Sequence, residues 1–144
     1  MTEQQKTTMH DILRFAHNTS PNHEGIRIVH GDCIGTDKET HDIATNLKIE
    51  TIIYPPTETQ SRAFCEGTVI MPDDGYLARD RHIVRASNAL LGVPQKDHET
   101  PRSGTWYTVR FALEKNIPVI LILPDGEWLF SEEIQPLLLE GKWG

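Results

Sequence analysis

The stretch Arg102-Ser103-Gly104-Thr105-Trp106-Tyr107-Thr108-Val109-Arg110 decides the fold. It continues through Phe111-Ala112-Leu113-Glu114-Lys115-Asn116 into the apolar run Ile117-Pro118-Val119-Ile120-Leu121-Ile122-Leu123. A Ser-Gly-Thr turn opens a helix, and the helix feeds a strand that carries neither charge nor polar alternation. Strands buried on both faces belong to parallel sheets covered by helices. A glycine turn at a helix N-terminus also exposes free backbone N–H groups and a partial positive charge, which suits phosphate or carboxylate. The segment implies a fold and a type of ligand, and by itself no catalysis.

Outward from this segment the same alternation recurs. Residues 5–17 predict a helix, with Met9, Ile12, Leu13 and Ala16 as its apolar stripe. Residues 26–30 predict a strand, followed by the two-glycine loop His30-Gly31-Asp32-Cys33-Ile34-Gly35-Thr36-Asp37. Thr36 and Glu39 have the spacing of a capping box for a helix that buries Ile43, Ala44 and Leu47 and ends near Lys48. Residues 51–54 form a second strand, stopped by Pro55-Pro56. A short strand at 68–71, a helix over 76–86 and a strand over 89–93 follow. Residues 95–102 are a charged loop, and a short helix from Ser131 breaks at Pro136. Helix and strand in alternation imply right-handed crossovers and a three-layer, Rossmann-like α/β domain with a mainly parallel sheet. Residues 1–144 read as one such domain.

The charge balance limits the partners. Fourteen lysines and arginines face 21 aspartates and glutamates, giving a net charge of −7 and a sequence pI near 5.4. That field opposes a phosphate backbone, so direct nucleic-acid binding is not expected. A small anion remains compatible, because local arginines and N–H groups outweigh net charge at short range. No window approaches the ~18 apolar residues of a membrane span, and the N-terminal residues lack the apolar core of a secretory signal. Cys33 and Cys65 are too few for a disulfide framework, so a reducing cytoplasm is the expected setting.

Three blocks together resemble the SLOG superfamily of Rossmann-like domains, whose members include the LOG and the DprA- and YpsA-like proteins. They are the loop from His30 to Asp37, Tyr76-Leu77-Ala78-Arg79-Asp80, and Arg102-Ser103-Gly104-Thr105-Trp106. They span roughly residues 26 to 124. The resemblance implies a nucleotide-derived ligand at the carboxyl edge of the sheet. Such domains usually open with a further strand ending in a phosphate loop, whereas this chain begins at the helix that would follow it. Either that strand is missing or another chain completes the sheet edge, and a homodimer or tetramer is expected. The LOG enzymes also resemble one another in a glutamate that serves N-glycosidic hydrolysis; the matching position here is Thr108.

The ligand-binding candidates follow from these blocks. Gly31, Asp32, Gly35, Thr36 and Asp37 form a turn whose N–H groups can cradle phosphate, with Asp37 near a ribose hydroxyl. An ordinary capped strand-to-helix turn is the alternative. Arg102, Ser103, Gly104 and Thr105 repeat that logic, with Ser103 alternatively only an N-cap. Arg79, on one helix face with Tyr76 and Ile83, reaches a phosphate, and Asp80 pairs with an arginine. Tyr54 and Trp106 stack on a base or pack in the core. Cys33 lacks a catalytic partner and reads as inert, Asp97 and Glu99 as solvated loop carboxylates, and His82 as a surface residue. The histidine spacing shows no paired metal motif, with His30 and Cys33 lacking a second pair. No catalytic residue, metal or cofactor is assigned. The leading expectation is binding of a small signal such as an ADP-ribose derivative or a cyclic nucleotide. The rivals are nucleotide N-glycosidase activity and a protein-interaction module for a nucleoprotein complex.

Overall fold

The chain builds two three-stranded, mostly parallel sheets flanked by helices, a Rossmann-like α/β arrangement. The structure, a computed structural model, describes residues 1–100 and 102–138. The elements run α1 (Glu3–Asn18), β1 (Arg27–His30), α2 (Thr36–Asn46), β2 (Glu50–Ile53), β3 (Val69–Ile70), α3 (Tyr76–Arg85), β4 (Leu90–Gly92), α4 (Gly104–Glu114), β5 (Val119–Ile122), β6 (Trp128–Phe130) and α5 (Ser131–Ile134). One sheet has the order β1-β2-β3, all parallel, and the other β4-β5-β6. β4 and β5 are parallel, while β6 returns antiparallel, with Leu121 opposite Leu129.

β5 shows why the apolar run signals a covered sheet. Val119 and Leu121 pack with Val84, Trp106, Val109, Ala112 and Ile134 on the face covered by α3, α4 and α5. Ile120 and Ile122 turn the other way, to Met9 and Leu13 of α1 and Ala44 of α2. Successive side chains of a strand point to opposite faces, so both must be apolar when helices cover both. The second cluster also takes in Ile28 of β1, Leu91 of β4 and Val93, so the two sheets share one core.

The stripe of α1 finds its cover inside the chain: Met9 is 1% and Leu13 2% exposed. The helix starts earlier than its apolar period, because Thr2 and Gln5 form a capping box. Gln5, itself buried, donates through Nε2 to the carbonyls of Pro94 (2.9 Å) and Ile122 (3.1 Å), joining α1 to the ends of β4 and β5. The capping box expected from Thr36 and Glu39 does not form. Gly35 is the N-cap of α2 and no side chain caps that helix. Glu39 instead takes the N-terminal ammonium of Met1 (2.7 Å) and Lys6 (3.1 Å). Two cations, one just before α1 and one on it, outcompete a local backbone bond.

β6 has no counterpart among the predicted strands. Three residues are too few for alternation to register, and Trp128 and Phe130 stay exposed. Its turn is nevertheless written in Pro124-Asp125-Gly126, where Gly126 adopts φ +89°.

Candidate functional site

The first turn carries the chain from β1 into α2 and is drawn inward by its own side chains. Asp32 sits at φ +60° with its side chain fully buried. Its Oδ1 accepts the Cys65 N–H (2.8 Å) and its Oδ2 accepts Arg62 Nε (2.9 Å). Burial alone would raise this carboxyl, but those bonds outweigh it and hold it below the ordinary aspartate range. Asp37 Oδ2 accepts the Cys33 N–H (3.2 Å). The segment after β2 zips along the same loop: Ile34 N–H donates to Ser61 O, and Ala63 N–H to Asp32 O. Only the far end stays open. Gly35, at φ +95°, is exposed, and a Cβ built on it meets nothing within 4 Å.

Gly31 is small for another reason. A Cβ there would collide with the Arg79 guanidinium, which donates through Nη1 to Gly31 O. Arg79 is 5% exposed. The same Nη1 contacts Tyr54 O (3.4 Å), Nε donates to Asp80 Oδ1 (2.8 Å), and Nη2 lies 3.6 Å from Cys33 Sγ. Arg79 thus ties together the carboxyl ends of β1 and β2, and its donors are engaged by the protein itself. Asp80 pairs with an arginine as expected, yet burial raises its carboxyl despite Arg79. Burial likewise raises the Cys33 thiol above its ordinary value, although Arg79 pulls it down. That agrees with an inert cysteine.

The second turn is reached from the first through a short chain of contacts. Asp80 lies close enough to Thr108 for the hydroxyl to pull its carboxyl down slightly, and Thr108 Oγ1 donates its proton to Gly104 O (2.9 Å). Ser103 is the N-cap of α4 and accepts the Trp106 N–H at 3.4 Å. Gly104 is exposed, with nothing within 4 Å of a Cβ, and Thr105 lies beside Gly92 at the end of β4. The first N–H groups of α4 have no partner within the helix. Arg102, at φ +63°, is exposed and makes no hydrogen bond or ion pair with a described residue.

The neighbouring carboxylates divide. Asp97 is solvated beside His98 (3.0 Å). Glu99 is not a loop solvation site: its side chain is 1% exposed and accepts Arg110 Nη1 at 3.0 Å, so it braces the loop against α4. Trp106 is buried core, Tyr54 is half-buried and stacks on His82 with ring centroids 6.2 Å apart, and His82 is exposed beside Asp74 (3.0 Å).

Behind the first turn lies a grouping that sequence spacing does not reveal. His30 at the end of β1, His41 on α2 and Cys65 beyond β2 bring one ligand atom each within 4.8 Å of one another, all three residues buried. His30 Nε2 and His41 Nδ1 are 2.9 Å apart. Burial lowers the His30 imidazole, against the pull of Asp37 and Asp32. Burial and the bond to Asp32 push the Cys65 thiol up to about 12. Arg62, His41 and Cys65 carry no sequence signal of this role, since they meet His30 and Asp32 only in three dimensions.

A concavity of about 930 Å3 lies elsewhere, between the start of α1 and the β5–β6 hairpin. Its wall holds Glu3, Asp125, Glu127 and Glu133 and no cation, so it does not suit an anionic ligand. The two helix-opening turns do, on chemistry rather than volume. The chain matches no protein-family model, no curated protein and no solved structure.

Proposed function

We propose that the chain binds, without catalysis, a nucleotide-derived small molecule such as an ADP-ribose-like or cyclic nucleotide signal, and so sequesters it. One observation carries this reading. The two open glycines, Gly35 and Gly104, stand at two helix N-termini that are linked through Gly31, Arg79, Asp80 and Thr108. Ligands of open α/β sheets bind beyond the carboxyl ends of the strands, where helix N-termini supply N–H donors. The resemblance to SLOG domains rests on the same residues. Arg102, unpaired among the described residues, supplies a cation at the second turn, and Thr36, Ser103 and Thr105 the neutral polar rim. Arg79, Asp32 and Asp37 hold the turns in shape, and Tyr54 lines the end of β2.

Equilibrium binding to ADP-ribose derivatives, cyclic nucleotides and mononucleotides tests the reading; no binding at millimolar ligand removes it. The proposed unit is a homodimer or a dimer of dimers. β3 leaves Val69 (46% exposed) and Ile70 (53%) on an outer strand, and open strand edges are commonly paired. Light scattering at micromolar concentration should give a mass of at least twice 16.4 kDa; a monodisperse monomer overturns this part.

Cleavage of an N-glycosidic bond has one observation in its favour. A carboxyl raised by burial, that of Asp80, stands beside Thr108, although Arg79 already occupies one of its oxygens. Release of free base from nucleoside monophosphates would establish it over simple binding.

A further inference from the structure

We propose that His30, His41 and Cys65 form a binding site for a thiophilic divalent cation of the Zn2+ type, with a fourth coordination position left open. The site does not depend on the ligand reading above. Its three donors come from separate parts of the chain: the end of β1, α2, and the segment after β2. Their exposures are 4%, 7% and 8%. Two imidazoles and a thiol are the donor types that such a cation selects. Zinc bonds to nitrogen and sulfur place tetrahedral ligand atoms about 3.3–3.6 Å apart. His30 and His41 are already at 2.9 Å, and the 4.8 Å spread of the trio closes with an inward shift of about an ångström.

The charge around the trio also suits a cation. Asp32, with its side chain fully buried, accepts the Cys65 N–H and pairs with Arg62, and Asp37 adds a second carboxylate that pulls on His30. A Cys65 thiolate would add a second buried negative charge, which a divalent ion neutralises.

The proton balance can be written out. The Asp32 N–H donates to His30 Nδ1 at 3.0 Å, so the neutral His30 ring carries its proton on Nε2 and donates it to His41 Nδ1. A cation bound to His30 Nε2 and His41 Nδ1 takes the place of that proton, which moves to His30 Nδ1. Cys65 releases its thiol proton to solvent, one proton per cation. His30 Nδ1–H then faces the Asp32 N–H, donor against donor, and their bond is lost. Filling the site therefore loosens the first turn at Asp32.

The test is titration of the reduced, full-length chain with Co2+, followed by Zn2+. One Co2+ should bind per chain and give a thiolate-to-cobalt charge-transfer band that Zn2+ removes. Cys65→Ser should abolish the band, and Cys33→Ser should keep it. His41→Gln should weaken Zn2+ binding by at least about tenfold. Because serine at a buried position can cost stability, a second measurement uses the unaltered chain. Zn2+ should slow alkylation of Cys65, read by peptide mass, and leave Cys33 unprotected. A band that survives Cys65→Ser overturns the proposal. So does the absence of both a Co2+ band and Zn2+ protection, which would leave the trio as a hydrogen-bonded core.

Discussion

The two strand-turn-helix junctions are built on one pattern, glycine and small polar residues opening a helix, yet they use their polar groups in opposite ways. At the first, Asp32, Asp37 and the Gly31 carbonyl are engaged by Arg62, the Cys65 and Cys33 N–H groups, and Arg79. At the second, Ser103 makes one long capping bond, Gly104 is open and Arg102 is unpaired among described residues. The first turn is mostly scaffold, open only at its Gly35 end, and the second is open along its Arg102–Gly104 side. Sequence similarity between two turns therefore says little about which one is free to bind; the residues arriving from elsewhere in the chain decide that.

The largest effect should come from breaking the scaffold. Arg79→Ala leaves the Gly31 and Tyr54 carbonyls and the largely buried Asp80 without their partner. Removing one member of a buried ion pair typically costs about 3–5 kcal/mol. Denaturant unfolding should show a loss of that order. Near-native stability would mean that the first turn does not depend on Arg79, and the contrast between the turns would fail.

The next effect separates the glycines. Gly104→Val should abolish ligand binding with little change in unfolding free energy, since a side chain there meets only open space and blocks the N–H groups. Gly35→Val should also block binding, but with an added loss of about 1–2 kcal/mol, because its φ of +95° is strained for any side chain. Calorimetry and thermal melts on both variants distinguish the two costs. If both fold and bind as the parent does, the ligand does not use these turns.

The elements were legible and the partnerships were not. The run 117–123 announces a doubly covered strand, because both faces of β5 meet apolar helices. The glycine turns are legible for the same local reason. Glu99 shows what is lost: a charged residue in a charged loop reads as solvated, and its burial depends on Arg110 eleven residues away. Arg79, on one helix face with Tyr76 and Ile83, reads as a phosphate ligand until the carbonyls of β1 and β2 are seen to converge on it. His41 and Cys65 lie 24 residues apart and share no local pattern. Only the parallel pairing of β1 with β2 brings their segments to the same end of the sheet.

A smaller effect sharpens the second turn alone. Arg102→Ala should weaken phosphate-bearing ligands by about 1.5–3 kcal/mol, as for a charge-assisted hydrogen bond. Its melting temperature should not move, because the side chain is exposed and unpaired among described residues. Unchanged affinity for phosphate-bearing ligands would shift the anion site to the first turn.

The smallest effect concerns Asp80, which lies where the two turns meet. Burial raises its carboxyl in the folded chain, with Arg79 only partly opposing. An unfolded aspartate titrates near about 3.9. Above that pH the folded state holds more proton on Asp80 than the unfolded state does, so stability falls as pH rises through the folded value. Asp80→Asn has no such titration and keeps an oxygen for Arg79 Nε. The wild-type chain should therefore have its best stability relative to Asp80→Asn at low pH and lose ground toward neutrality. Paired unfolding curves from pH 3 to pH 7 measure this difference directly. A difference that instead grows in favour of the wild type with rising pH would show that the Arg79 ion pair outweighs burial. The link between the two turns would then be a strong ionic clamp rather than a strained one.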